Sequence, residues 1–264
     1  MVNITLGQYF PGDSVVHRLD PRMKLILTAA VIVAVFLCKG FVSYALMFGY
    51  ILGAALISAV RIKLMFKGIR PILFIVALTF ALNVLFTPDG DAIVRIGSFA
   101  ITWQGLRMAS YMALRLVLLV FGTQLLTLTT SPIALTDGLE RLMRPLKRIG
   151  FPAHELAMMM SIAFRFIPTL MEEADKIMKA QKARGADFES GNLTRRAKAM
   201  LPLLVPLFVS AFRRADELAL AMEARCYRGG EHRTRMKVLR YTRLDLYALI
   251  SMALLIALVV ALPV

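Results

Sequence analysis

Five apolar runs constrain what this chain can fold into more than any other feature. They cover about 23–38, 41–60, 69–86, 106–130 and 246–264. A helix needs roughly 20 apolar residues to cross the hydrocarbon core, and somewhat fewer where flanking Lys and Arg reach back to the interface. In lipid only a helix satisfies its own backbone within one segment, so all five are expected to be transmembrane helices. Only Lys39-Gly40 separates the first two, which predicts a tight helical hairpin.

The rest of the composition agrees. Hydrophobic residues make up 58% of the 264, and 32 Lys+Arg stand against 17 Asp+Glu. A soluble domain would be less apolar, and so would a nucleic-acid binder of this charge. Apolar and basic together indicate an integral membrane protein with a basic cytoplasmic part. The two cysteines, Cys38 and Cys226, fall in different kinds of segment and imply no disulfide framework. The first 17 residues carry no Lys or Arg and do not read as a cleavable leader.

Basic residues in short loops set the orientation. Arg18, Arg22 and Lys24 precede span 1, and Arg61, Lys63, Lys67 and Arg70 join spans 2 and 3. The Lys39-Gly40 turn and the loop 87–105 are poor in such residues; the loop carries Asp89, Asp91 and Trp103. The N-terminus is therefore expected in the cytoplasm and the loop 87–105 outside. Segment 131–243, with 21 of the 32 basic residues, is expected in the cytoplasm, and the C-terminus outside. Arg115 lies deep in span 4, and the spans offer it no obvious acidic partner. Either it reaches an interface or a protein interior, or it meets a partner subunit.

The chain thus divides into a membrane domain of four spans (1–130), a coupling domain at the membrane surface (131–243) and a last span (244–264). In the middle part, Thr130-Ser131-Pro132 signals a helix start, and a helix over 132–148 is expected before Gly150 and Pro152 break it. Helical spacing of apolar residues predicts two longer helices, over 153–184 and 194–227, with a turn from Asp187 to Asn192. Pro168, Pro202 and Pro206 are expected to bend them. Each is apolar in its first half and charged in its second. Amphipathic helices lying flat on anionic lipid would explain the charge. They would not explain a repeat.

The repeat appears when one long helix is slid 41 residues along the other. Ala174, Asp175, Ala180, Ala183 and Arg184 fall on Ala215, Asp216, Ala221, Ala224 and Arg225. Small residues beside each Arg let another protein approach closely, and the guanidinium fork can bond carboxylates and carbonyls at once. An Arg in a last helical turn followed by Gly185 also fits an ordinary helix cap. The matched pair points further, to two similar receptor sites.

No phosphate-binding glycine loop, zinc-protease motif or cysteine–histidine cluster occurs. His17, His154 and His232 are scattered, and Ser161 and Ser210 lie in helix interiors with no neighbouring base. No catalytic residue, metal site or cofactor is expected.

The motifs Gly7-Gln-Tyr-Phe-Pro-Gly12, His17-Arg-Leu-Asp-Pro-Arg-Met-Lys24, Phe164-Arg-Phe-Ile-Pro168 and the pair Ala183-Arg184-Gly185 and Ala224-Arg225-Cys226 carry a family resemblance over nearly the whole chain. The chain resembles the transmembrane T component of energy-coupling-factor (ECF) transporters, the EcfT and CbiQ-like family. The resemblance implies an all-α polytopic membrane protein of about five spans with a cytoplasmic coupling domain of long amphipathic helices. It implies a non-catalytic subunit that joins two ABC ATPases of the EcfA and EcfA′ type to a vitamin-binding S component. Arg184 and Arg225 would dock one in each ATPase. Met160, Phe164, Ile167, Leu204 and Phe208 are expected to face the S component. The Met-rich face (Met158, Met159, Met160, Met171, Met178, Met200) suits several partners, as it would suit plain packing. The partners expected are these subunits and membrane lipid, with no nucleic acid. A T component dedicated to cobalt, nickel or one vitamin is the alternative. A membrane-anchored protein whose basic domain binds nucleic acid or lipid is a more distant one. Because Cys226 replaces Gly, a left-handed cap is not expected there, and the second long helix is expected to run on toward Gly229-Gly230.

Overall fold

The computed structural model describes residues 9–86, 92–96, 99–188, 192–229 and 238–262. Gly7 and Gln8 of the opening motif, Asp89 and Asp91, the middle of the expected turn (189–191), Gly230, His232 and the end of the last span (263–264) lie outside the described residues. The chain forms two compact units. Unit 1 holds Met1–Leu142 and Lys237–Val264, and unit 2 holds Met143–Met236.

Unit 1 opens with one helical turn, α1 (Val15–Arg18), and α2 (Pro21–Leu37). The Asp20 carboxylate caps α2 by accepting the Arg22 N–H, and Pro21 sits where no backbone donor is needed. Next come α3 (Phe41–Ile57), α4 (Ile62–Ile69) and α5 (Leu73–Phe86). Two short strands, β1 (Ala92–Ile96) and β2 (Phe99–Thr102), pair antiparallel before α6 (Trp103–Thr129). The sequence reading expected only a loop there. Thr102 caps α6 by accepting the Gly105 N–H, so the helix begins at Trp103 rather than near 106.

Each of the five apolar runs is helical over most of its described residues. By length and composition α6 and α10 (Arg243–Ala261) can each cross a membrane alone. The third expected span is interrupted near its start: α4 and α5 meet at a 56° bend and are apolar and long enough only as a pair, the form of a broken span or a re-entrant loop. Pro71 lies in that break and removes a backbone donor. Helices α2 and α3 have 17 residues each, the short end of the spanning range.

The core of unit 1 lies where α2 and α3 pack against both α6 and α10, around Val35, Tyr44, Met47, Leu118 and Met252. Gly122 lets α2 approach: a Cβ there would come within 2.8 Å of Val31 Cγ1. The Gln124 amide donates to the Leu64 carbonyl at 2.9 Å, fixing α4 against α6. Arg115 turns toward α2, its guanidinium carbon 5.3 Å from the centre of the Phe36 ring.

Unit 1 continues into α7 (Pro132–Met143), which ends in a 3-10 turn over Arg144–Ile149. The single helix expected over 132–148 is thus two elements. Pro145 opens the tighter turn, and Gly150 closes it at φ 83°. Unit 2 is built on α8 (Ala153–Ala183) and α9 (Leu193–Ala224). Both helices run unbroken through their prolines.

Candidate coupling site

Helices α8 and α9 pack on each other and run in opposite directions. Arg214 Nη2 donates to Glu173 Oε2 at 2.7 Å, and Tyr227 Oη lies 3.4 Å from His154 Nε2. Residues 173 and 214 are also 41 apart, so the ion pair joins equivalent positions of the repeat. The crossing therefore falls at the same position of each copy of the repeat. From that crossing to each arginine, 184 on α8 and 225 on α9, the distance is 11 residues. At about 1.5 Å per residue each arm reaches roughly 16 Å.

The two arms end alike. On α8, Arg184 is the last half-helical residue and Gly185 turns left-handed at φ 87°. The Gly185 N–H donates to the Lys182 carbonyl at 3.0 Å, and the Ala186 N–H to that of Gln181 at 2.9 Å. On α9, Arg225 takes the same place and Cys226 turns left-handed at φ 55°. The Cys226 N–H donates to the Glu223 carbonyl at 2.8 Å, and the Tyr227 N–H to that of Met222 at 3.0 Å. Both are the paired bonds that close a helix with a left-handed residue.

This corrects the expectation at Cys226. The second helix does not run on to the glycines. It stops at Ala224, in register with Ala183, because the cap bonds are made even without glycine. Arg184, Gly185, Arg225 and Cys226 are exposed, as are Ala180, Ala183, Ala221 and Ala224. Each guanidinium therefore stands on an open strip of small side chains.

The apolar halves of the arms differ in exposure. Met160, Leu204 and Phe208 are exposed, while Phe164 and Ile167 are half-buried. Met200, Leu201, Val205 and Val209 extend the exposed face of α9. The sequence reading missed the Glu173–Arg214 crossing. One step back along the 41-residue alignment, from Ala174 on Ala215, would have found it.

A second polar assembly, in unit 1, also escaped it. Asp20 is buried and accepts from Arg22 twice, from Nε at 3.0 Å and Nη2 at 2.8 Å. Burial alone would raise the Asp20 pKa, but the Arg22 side chain, its backbone N–H and its charge bring it below the ordinary carboxylate value.

Comparison with known proteins decides the family. Residues 12–236 match the sequence profile of the CbiQ family, described as cobalt transport protein. The chain belongs to that family. It is 59% identical over 255 residues to a protein of Thermosediminibacter oceani named energy-coupling factor transporter transmembrane protein EcfT, covering 97% of this chain and 96% of the relative. Proteins of the same name from Clostridium kluyveri and Bacillus subtilis are 55% and 51% identical, over 93% and 98% of this chain and 92% and 97% of theirs. This family is the transmembrane energy-coupling component of ECF transporters, and the chain is an all-α membrane protein of that kind.

Proposed function

We propose that the chain couples two ATPase subunits to a substrate-binding S component and itself performs no chemistry. The observation that carries this is the pair of matched tips: two exposed arginines on equal arms, each closed by the same cap. Two matched tips suit a partner that is itself a dimer, with the same docking surface on each subunit. Arg184 would enter one ATPase, of EcfA type, and Arg225 the other, of EcfA′ type. The strips of Ala180 and Ala183, and of Ala221 and Ala224, would let each docking surface close on the helix. Closure of the ATPase dimer on ATP would then move the arms.

The exposed apolar halves, with Met160, Leu204 and Phe208 outermost and Phe164 and Ile167 behind, would carry that motion to the S component. Residues 131–243 and the N-terminus would face the cytoplasm and the C-terminus the outside, as the basic loops require. The cargo proposed is a vitamin or other micronutrient chosen by the S component, and the T component would be shared among several.

The test uses purified complex. Arg184→Glu with Arg225→Glu is expected to leave the chain in the membrane and abolish co-purification of the ATPases. Retention of both ATPases by the double variant would refute the docking role. Mass spectrometry of the subunits that co-purify with the parent chain reads the S components directly. Several vitamin binders support a shared module; one cobalt or nickel partner supports the dedicated alternative.

A further inference from the structure

The chain leaves unit 1 after Leu142 and returns at Lys237. Both crossings are tied to one point, the start of α2. Before the exit, Gly138 of α7 lies against Pro21; a Cβ at Gly138 would come within 3.1 Å of Pro21 Cβ. Arg141, one residue before the exit, adds its charge to the field at Asp20. After the return, the Tyr241 ring lies under Arg22, with the guanidinium carbon 3.9 Å from its centre. Asp245 Oδ2 accepts from the N–H and hydroxyl of Thr242, at 2.7 and 2.8 Å, and caps α10. Its Oδ1 accepts the Asp20 N–H at 2.8 Å, so the caps of α2 and α10 are one assembly. Lys24 Nζ donates to the carbonyls of Thr129 and His17 at 2.9 and 3.1 Å, joining the end of α6 to the same knot.

Little of this is needed to end a helix. A single side-chain oxygen caps one well. Here two carboxylates, exposed by only 5% at Asp20 and 2% at Asp245, hold two helix starts together with charge-assisted bonds. The outgoing and returning chain are fixed four residues from the unit boundary on each side, at Gly138 and Tyr241. A load on unit 2 reaches the membrane helices along the backbone only through these two crossings.

We infer that the Asp20–Arg22–Tyr241–Asp245 knot is a force-transmitting joint, which passes displacement of the coupling helices to α2 and α10 together. These are positioning residues, and the inference rests on the ATPase docking proposed above. Without the knot, α7 and the segment before α10 would yield first, and ATP would be hydrolysed with little movement in the membrane.

Tyr241 is the residue to change, because it is 59% exposed and its loss leaves the buried carboxylates in place. The complex with its ATPases is spin-labelled at cysteines replacing Val33 of α2 and Leu82 of α5, both exposed, in a Cys38→Ser, Cys226→Ser background. Label separation is measured by double electron–electron resonance without nucleotide and with ATP and vanadate, alongside ATP hydrolysis. The parent complex and Tyr241→Phe, which keeps the ring under Arg22, are expected to show a nucleotide-dependent shift. Tyr241→Ala is expected to lose at least half of it while hydrolysing ATP within twofold of the parent. Arg22→Lys keeps the charge but not the paired bonds to Asp20, and is expected to behave as Tyr241→Ala does. A full shift in both variants overturns the joint and leaves the docking intact, as does a parent complex that hydrolyses ATP with no shift. Failure of any ATPase to co-purify with the chain bearing its native cysteines overturns the docking and the joint together.

Discussion

Cys226 holds a backbone torsion that Gly185 holds at the matched position, φ 55° against 87°. A side chain in the left-handed region costs about 1–2 kcal/mol, which glycine avoids. The cost is met locally. The two cap bonds form, and the side chain of the next residue, Tyr227, reaches His154 at the start of α8. Cys226→Gly should therefore stabilise the chain by about 1 kcal/mol, less what glycine adds to the freedom of the unfolded chain. Cys226→Val should destabilise it by a similar amount, since a branched Cβ tolerates this torsion worst. Thermal unfolding in detergent separates them. A midpoint that falls for Gly or rises for Val would show that residue 226 is not strained. The sequence was misleading here because a missing glycine was read as a missing cap. What the cap needs is its hydrogen bonds, and glycine only makes the torsion cheaper.

At the scale of elements, the α8–α9 pair rests on the Glu173–Arg214 crossing. Both side chains are about a third exposed or less, so solvent screening limits the pair to around 0.5–1 kcal/mol. Its geometric role is larger than its energy, because it fixes where along each helix the arms begin. Glu173→Arg or Arg214→Glu alone should destabilise unit 2 by about 1 kcal/mol through like-charge contact. The double exchange should recover most of that. A double-mutant cycle on limited proteolysis of the 184–192 connection measures it; a coupling energy of zero would remove the crossing as a fixed point. The helices themselves were legible, because apolar spacing of 3.6 residues and lengths near 20 leave few alternatives. Their breaks at Pro71 and Pro145 were legible in principle but were overridden by the apolar run on one side and the basic run on the other. The knot was not legible at all. Asp20 and Asp245 are 225 residues apart, and nothing local marks either carboxylate as anything but a helix cap.

At the scale of the molecule, the distribution of charge separates the coupling role from its rivals. Of 32 basic residues, 21 lie in 131–243, enough to bind an acidic lipid surface or a nucleic acid without any other partner. Such binding would spread its energy evenly, each cation contributing about 1 kcal/mol near an anionic surface, with steep loss in salt. Docking through two tips concentrates it. Arg184 and Arg225 stand on exposed alanines, whereas Lys176, Lys179, Arg196 and Lys198 lie on the helix shafts. Lys176→Gln with Lys179→Gln, or Arg196→Gln with Lys198→Gln, removes the same two charges as Arg184→Gln with Arg225→Gln. The tip pair should lower ATPase co-purification at least tenfold, and each shaft pair less than twofold. Raising salt from 0.1 to 0.5 M should not equalise them, because the screening length falls while short guanidinium bonds persist. Equal losses in all three variants would mean that charge alone holds the partners. The two tips would then be ordinary helix ends, and a lipid- or nucleic-acid-binding surface would account for the basic half of the chain.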